Sequence, residues 1–413
     1  MARVLSKLKL PRRLLASLVG AGGAAVLQVL AFALTSRALG PEAFGVLSII
    51  FATGILFSPL GSLGADQTMV RTISRGTADF SRAWGHVLTV TALAFPVAWA
   101  AAVGVTLFTL QSVLPLWLIA AALAGEMLIG RVTSAGSAIF VAHDQMVQAS
   151  VLEFGVVLLR ALAAVLVFYL WGSTSLELWL GVIAVQSGLT ALLAYVILTR
   201  RFGRPNFGVI RGDLGFGVLL MMNLFMMMAQ NNLDRIILGQ VASAREVGIY
   251  SAGTRLQLLG NMGNLWVARM YYPGYFKAAM TGRGALKSYV WSCLPVTLAV
   301  GMLSALAMCA LAFALPLLVG DGYDGVTEIG LVVALVPPFA ALQIPAADAL
   351  TALDRQRLRT WVYAVALIIL VVAIFVGVSA LGMVGAAWAL VATAAGTAMV
   401  LWGLFLKLVP DAA

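Results

Sequence analysis

The chain of 413 residues is 62% hydrophobic and only 10% charged, with a mean hydropathy of +1.02 and a net charge of +10. Soluble domains carry about 25% charged residues, and no soluble fold of this length has enough interior to hide so much apolar surface. The composition therefore excludes a soluble protein and predicts an integral membrane protein. The basic net charge leaves a nucleic-acid partner open until the distribution of the basic residues is known.

Apolar runs of about 20 residues, long enough to cross a bilayer as helices, recur along the whole chain. They predict an all-α fold with about twelve transmembrane helices, the first of which is an uncleaved span and not a signal peptide. The predicted spans are 14–36, 46–69, 84–108, 114–141, 147–170, 176–199, 214–239, 248–272, 289–319, 328–352, 360–378 and 384–406. Most connections are short, and the three longer, basic ones are 71–83, 200–213 and 273–288.

A segment just past the middle of the chain, 231–255, repeats part of an earlier one, 36–48. Aligning Gly248 with Gly45 superimposes VGIYS on FGVLS at an offset of about 203 residues, close to half the chain. The two segments are expected to be equivalent outer connections. We expect the two glycines to allow close packing or a turn there.

Six predicted helices in each half make the halves parallel repeats, related by an axis along the membrane normal. The predicted architecture is two six-helix bundles around a central cavity. The predicted domains are 1–205 and 206–413, joined by a basic linker.

The basic residues predict the orientation. With the N-terminus inside, only Arg37 and Arg245 fall on the outer side, whereas cytoplasmic loops are typically rich in Lys and Arg. The inner side holds 19 of the 26 basic residues: Arg3, Lys7, Lys9, Arg12, Arg13, Arg71, Arg75, Arg82, Arg200, Arg201, Arg204, Arg211, Lys277, Arg283, Lys287, Arg355, Arg357, Arg359 and Lys407. Both termini are therefore predicted to be cytoplasmic. The same bias explains the net charge without a nucleic-acid partner.

The remaining five arginines lie within predicted helices: Arg131, Arg160, Arg235, Arg255 and Arg269. A charge near the bilayer centre costs about 2.5 to 3.5 kcal/mol on insertion scales, so it needs a partner or a wet cavity. Arg131 and Arg160 fall near the midplane, and Arg255 lies about two turns in from the outer face. Because a guanidinium matches phosphate oxygens in pairs, these three are the candidate substrate-binding cations of the cavity.

Acidic residues within helices leave two interpretations open. Glu126 with Arg131, and Glu153 with Arg160, are either buried pairs that hold helices together or parts of a functional site. In the second case Glu126 and Glu153 are candidates for H⁺ or Na⁺ coupling. Asp234 and Arg235 are adjacent, so their side chains diverge on a helix, and each is expected to have a separate partner.

The run 221–232 is rich in methionine and ends in amides. In one interpretation these side chains face lipid or fill the core. In the other they form an adaptable apolar surface for a lipid tail, and Asn223, Gln230 and Asn231 contact sugars. The sequence contains no nucleophile motif, no phosphate-binding loop and no metal-ligand spacing. We therefore expect no enzyme activity, no metal and no cofactor beyond a coupling ion.

Three pieces of the sequence resemble the Wzx-type polysaccharide flippases of the MOP superfamily, which is related to the MATE transporters. The first is RALGPEAFGVLS (37–48) with GSLGADQTMVR (61–71), and the second is LDRIILG (233–239) running into EVGIYSAGTRL (246–256). The third is GDGY (320–323), in the place of a glycine–tyrosine turn of the family. The likeness covers nearly the whole chain.

The resemblance implies two six-helix bundles around a cationic cavity. It implies transfer of undecaprenyl-pyrophosphate-linked oligosaccharide from the inner to the outer leaflet by alternating access, with membrane lipids and polysaccharide polymerase or synthase machinery as further partners. Two alternatives stay open: a MATE-like cation-coupled multidrug antiporter, and a non-transporting partner of a polysaccharide synthase.

Overall fold

The computed structural model describes residues 12–74, 79–110, 114–143, 145–171 and 175–409. All regular structure in these ranges is helical, which confirms the predicted all-α membrane fold. The two ends of the chain and the basic residues Arg3, Lys7, Lys9 and Arg75, on which part of the predicted orientation depends, lie outside the described residues.

The helices are long, and most of them extend beyond the predicted spans by several residues. They are α1 (Arg12–Phe57), α2 (Ala65–Ser74), α3 (Phe80–Leu110), α4 (Leu116–Ala142), α5 (Met146–Leu166), α6 (Leu176–Phe202), α7 (Arg211–Val241), α8 (Ala244–Thr281), α9 (Arg283–Val319), α10 (Val326–Val333), α11 (Val336–Ala352) and α12 (Gln356–Leu408). A 3₁₀ turn at Ser58–Ser62 joins α1 to α2, and a π turn at Val167–Trp171 extends α5.

Two of these helices each contain two spans. The backbone leaves helical geometry at Gly40 in α1 and at Gly382 in α12, with φ of 70° and 60°. By length and composition, nine helices among the described residues could cross a membrane, with α1 and α12 each counted once and α8 not included. Dividing the two bent helices and adding α8 gives twelve spans in the described ranges, as predicted.

The bend in α1 follows directly from its Gly40–Pro41 dipeptide. Proline disfavours helical geometry at the residue before it and cannot donate a backbone hydrogen bond. A positive φ at Gly40 suits a residue that lacks Cβ. A single glycine therefore redirects the chain where the sequence predicted a loop.

The predicted connection at 273–288 is wrong, because the structure fills it with helix. α8 continues to Thr281, α9 starts at Arg283, and only Gly282, with φ of 139°, separates them. Windows of hydropathy detect the apolar part of a helix and miss polar turns beyond it. In contrast, the predicted linker is non-helical over residues 203–210, between α6 and α7.

The described residues fold into two compact units. The first unit holds residues up to Leu39 together with Ile49–Met228, and the second holds Gly40–Ser48 together with the rest of the chain from Ala229. In the first unit α4 packs against α2, α5 and α6; in the second, α11 packs against α8, α9 and α12. The predicted domain boundary after residue 205 remains a prediction.

Within the second unit, the two repeated segments pack directly on each other. A Cβ on Gly45 would lie 1.8 Å from the Ala244 carbonyl oxygen, and a Cβ on Gly248 would lie 1.8 Å from the Pro41 carbonyl oxygen. The offset that relates the two glycines also relates Pro41 to Ala244, so the contact is reciprocal. The predicted close packing at Gly45 and Gly248 is confirmed.

The glycine–tyrosine turn also belongs to the second unit. Tyr323 is buried and meets Phe44 edge to face at 6.3 Å between ring centroids. Arg245 donates from Nη2 to the Gly322 carbonyl at 2.9 Å. The turn is therefore held by both repeated segments, and burial raises the pKa of the Tyr323 phenol, which stays neutral.

Within the first unit, the linker at 203–210 is fastened along α3. Three of its backbone N–H groups donate to α3: Asn206 to the Ser81 carbonyl at 2.7 Å, Gly208 to Thr89 Oγ1 at 3.1 Å and Ile210 to His86 Nδ1 at 3.1 Å. A Cβ on Gly85 would lie 1.8 Å from the Asn206 carbonyl oxygen, so glycine is required for this approach. The linker is therefore held along α3 by hydrogen bonds, and we call residues 203–210 the strap.

Candidate functional site

Arg131 lies near the middle of α4, at the centre of a buried polar cluster. Its Nε donates to Ser58 at 2.9 Å, and its Nη1 donates to Ser62 at 3.3 Å and to Asp66 at 3.2 Å. Asp66 also accepts from Ser62 at 2.7 Å and from Ser134 at 2.5 Å. We call these five residues the Asp66 cluster; it joins α2 and α4 through the 3₁₀ turn.

The cluster uses Nε and Nη1 of Arg131, which make three hydrogen bonds. The side chain of Arg131 is 12% exposed and that of Asp66 is 1% exposed. A buried guanidinium with a carboxylate and hydroxyl partners is strongly favoured over the same charge left alone. Gly130 provides the space for this arrangement, because a Cβ there would lie 2.8 Å from Ser58 Oγ.

Arg160, near the middle of α5, pairs with Glu126 of α4 through Nη2. Its guanidinium carbon lies 5.3 Å from the centroid of the Phe51 ring, which is a cation–π contact. Glu126 is 6% exposed, whereas Arg160 is 34% exposed. Gly54 of α1 leaves room for the acid, because a Cβ there would lie 3.1 Å from Glu126 Cγ.

Glu153 occupies the same side of α5 as Arg160, two turns away. It is exposed and accepts a hydrogen bond from Ser137 at 2.6 Å. Most exposed apolar residues of α5 lie away from that side, at Val151, Leu159, Leu162 and Leu166, whereas the exposed Met146 lies on the side of Glu153. A carboxylate in hydrocarbon is expensive, so the side with Glu153 and Arg160 is the one suited to water or a polar ligand.

The predicted pairings are wrong, although all four residues have polar partners. Glu126 bonds Arg160, and Arg131 bonds Asp66 instead of Glu126. Five residues along a helix turn the side chains about 140° apart, which separates Glu126 from Arg131. Seven residues keep Glu153 on the side of Arg160 but about 10 Å away along the helix axis. Each of these charged residues therefore bonds a residue of another helix and not the charged residue near it in sequence.

In the second unit, Asp234 and Arg235 have separate partners, as predicted. Asp234 accepts from the hydroxyl of Tyr250 at 2.9 Å, while Arg235 donates to Asn232 at 3.3 Å and to Thr254 at 3.4 Å. Asp234, Arg235 and Tyr250 are all buried. These contacts fix α7 against α8 and support the structural interpretation of this pair.

The other predicted site residues are distributed over both units. Asn223 is exposed on α7 in the first unit and donates to the Leu219 carbonyl of its own helix at 3.0 Å. Gln230 and Arg255 are half-buried and Asn231 is exposed, all in the second unit. Of the predicted site residues in the first unit, the structure brings Glu126 and Arg160 into contact, whereas Arg131 bonds Asp66 and Glu153 bonds Ser137.

Sequence reasoning missed Asp66 as a partner of Arg131 and Asp348 as a partner of Arg359. The second pair, at 3.1 Å, lies in the second unit, with Asp348 buried. No regular spacing marks the first pair, because a 3₁₀ turn at Ser58–Ser62 and positive φ at Leu63 and Gly64 interrupt the helix before Asp66. Among the described residues, no group of three or more His, Cys, Asp or Glu could hold a metal ion.

Comparison with known proteins gives a family and a fold. The family model described as "Polysaccharide biosynthesis protein" matches residues 12–277, more than half of the chain. An inward-facing multidrug resistance MATE family transporter of the MOP superfamily matches with a TM-score of 0.76 at 14% identity, covering 94% of this chain and 96% of that one. No curated protein matches the chain.

Two further structures show the same fold. An outward-facing MATE family multidrug resistance transporter matches with a TM-score of 0.67 at 13% identity, over 96% of this chain and 94% of that one. The lipid II flippase MurJ, in an inward closed conformation, matches with a TM-score of 0.67 at 10% identity, over 95% of this chain and 89% of that one. The arrangement of helices is thus common to transporters and to a flippase.

Proposed function

Because the chain belongs to the polysaccharide biosynthesis protein family, we propose that it is a flippase for undecaprenyl-pyrophosphate-linked oligosaccharide. It would move this lipid from the inner to the outer leaflet of the bacterial cytoplasmic membrane, for assembly of a cell-surface polysaccharide. The similarity to a lipid II flippase over most of both chains supports a lipid-linked substrate.

The observation that carries the proposal is the position of two arginines, Arg131 and Arg160, near the middle of membrane helices. A cation at this depth is costly and is expected to serve function. Guanidinium groups bind phosphate oxygens in pairs, so they suit a pyrophosphate that must cross the hydrocarbon layer. The isoprenyl tail stays in the bilayer while the headgroup crosses by alternating access.

Roles for the other residues follow from the same hypothesis. Arg255 is proposed as a further phosphate contact, and Asn223, Gln230 and Asn231 as sugar contacts on α7. Glu126 and Glu153 are the candidate sites for coupling to H⁺ or Na⁺.

Export by charge-reversed variants tests the proposal. Arg160→Glu and Arg131→Glu should abolish polymer export, and lipid-linked intermediate should accumulate on the cytoplasmic leaflet, as after deletion of the gene. Arg269→Gln is the matched control, because Arg269 is predicted near the inner end of its helix and has Trp266 beside it at 6.0 Å. Normal export by both inserted charge-reversed proteins would refute the cavity role.

A multidrug antiporter is the second candidate, favoured by the TM-score of 0.76 to a multidrug transporter. That function requires free midplane acids, whereas Glu126 and Asp66 are each bonded to an arginine. Efflux of cationic dyes that stops in Glu126→Gln would support the antiporter. A non-transporting synthase partner would keep its activity in a variant that no longer moves the lipid-linked oligosaccharide across the membrane.

A further inference from the structure

The two mid-helix arginines of the first unit differ in how firmly they are held. Arg131 has three hydrogen bonds to three different partners, and its carboxylate partner has two further hydroxyl donors. Arg160 has one carboxylate, that of Glu126, and one aromatic ring. Arg160 is also nearly three times as exposed as Arg131, at 34% against 12%.

The guanidinium of Arg160 is only half satisfied along one edge. Glu126 accepts a hydrogen bond from Nη2, while the neighbouring Nε is buried and has no hydrogen-bond partner among the described residues. Nε and Nη2 together form the edge that binds carboxylates and phosphates through two parallel hydrogen bonds. Leaving a buried donor unpaired is unfavourable, so an anion that bonds both nitrogens would satisfy Arg160 better than Glu126 does.

From this we infer that Glu126 is an internal competitor for the anionic headgroup at Arg160. The carboxylate holds the guanidinium when no substrate is present, and an isoprenyl diphosphate displaces it by bonding Nε and Nη2 together. The inference rests on the proposed function and specifies how its phosphate site is regulated. The exchange concerns Arg160 alone.

Competition of this kind also gives selectivity by charge. A carboxylate already paired with Arg160 is displaced readily only by a ligand with more charge and two well-placed oxygens. A diphosphate meets both conditions, whereas chloride meets neither. The buried acid thereby disfavours chloride at this site.

Binding of farnesyl diphosphate to purified protein in nanodiscs of zwitterionic lipid tests the inference by titration calorimetry. Glu126→Gln should bind about tenfold more tightly than the wild type, because a neutral amide holds Arg160 less strongly than a charged acceptor does. Arg160→Gln should lose binding. The double variant Glu126→Gln with Arg160→Gln should also lose binding, which would show that the gain in affinity of Glu126→Gln depends on Arg160.

Glu177→Gln is the control. It removes one acidic charge from the same unit, at the start of α6, where Glu177 bonds Ser175 and not Arg160, so its affinity should stay within about twofold of the wild type. If Glu126→Gln does not insert into the membrane, Glu126→Asp replaces it. The shorter side chain reaches Arg160 less well, so this variant should bind farnesyl diphosphate more tightly than the wild type does.

The outcomes separate the inference from the proposed function. Unchanged or weaker binding by the Glu126 variants would overturn the competition, and so would an equal gain in Glu177→Gln, which would indicate a general field effect. In both cases a wild type that binds farnesyl diphosphate leaves the flippase proposal standing. A wild type that does not bind the probe overturns the competition and counts against the flippase as well.

Discussion

Asp66 is the single side chain on which the Asp66 cluster depends most, because its carboxylate neutralises Arg131 and accepts from two serines. Asp66→Asn keeps the shape but leaves a buried guanidinium without its counter-charge. We expect a loss of about 3 kcal/mol or more in stability, measured as a lower melting temperature by circular dichroism in detergent. The control is Glu153→Gln, an exposed acid, and an equal effect of the two changes would contradict this role of Asp66.

Depth along the chain identified the charged residues that lie within helices, but it did not predict their partners. Arg131, Arg160 and Glu126 stand out in the sequence because charges are rare inside apolar runs. Their partners come from helices distant in sequence: Asp66 is 65 residues from Arg131, and Glu126 is 34 residues from Arg160. One sequence contains no signal for such pairs, so neighbouring acids were chosen and the pairings were wrong.

At the scale of helices, the crossing at Gly45 and Gly248 depends on the absence of side chains. Gly45→Ala would place Cβ against the backbone of Ala244, which cannot rotate away as a side chain would. We expect a large loss of stability, or failure to accumulate in the membrane. Gly396→Ala is the control, because a Cβ there meets nothing within 4 Å, and it should be neutral or stabilising by up to about 1 kcal/mol.

The strap formed by the linker gives a second prediction at this scale. His86→Ala removes the acceptor of the Ile210 N–H, whose bond is 3.1 Å long. Exchange of that amide with deuterium should accelerate about tenfold, consistent with a typical buried hydrogen bond. His143→Ala is the control, since the ring of His143 bonds the Ile139 carbonyl of its own helix. Equal exchange in both variants would show that His86 does not hold the linker.

The start of α8 carries a capping box, in which Ser243 and Glu246 each bond the other's backbone N–H. Hydrogen bonds from the Ser243 side chain and backbone lower the pKa of Glu246. The ionised acid therefore contributes stability that is present above the ordinary glutamate pKa and lost as the pH falls through the lowered value. Melting temperatures of wild type and Glu246→Gln should differ at pH 7 and converge in acid. Ser243→Ala should remain destabilised at both pH values, by about 1 kcal/mol.

At the scale of the whole molecule, composition and periodicity predicted the all-α membrane fold and its twelve spans. Repetition of sequence did not predict which residues pack together. Gly40–Ser48, from the first repeat, belongs to the second unit, and 206–228, from the second predicted domain, belongs to the first unit. A repeat records similarity along the chain, whereas a compact unit reflects packing in space, and a long helix such as α7 can contribute to both units.

The orientation of the chain is still a prediction from the basic residues, and thiol labelling tests it. Cys293 and Cys309 are free thiols, so both are first replaced by alanine. Asp321→Cys reports the predicted outer turn and Arg283→Cys the predicted inner helix end, and both positions are exposed. In right-side-out vesicles a membrane-impermeant maleimide should label position 321 and leave position 283 unlabelled, and inverted vesicles should give the opposite result. The reverse pattern would place the basic segments outside, against the positive-inside rule.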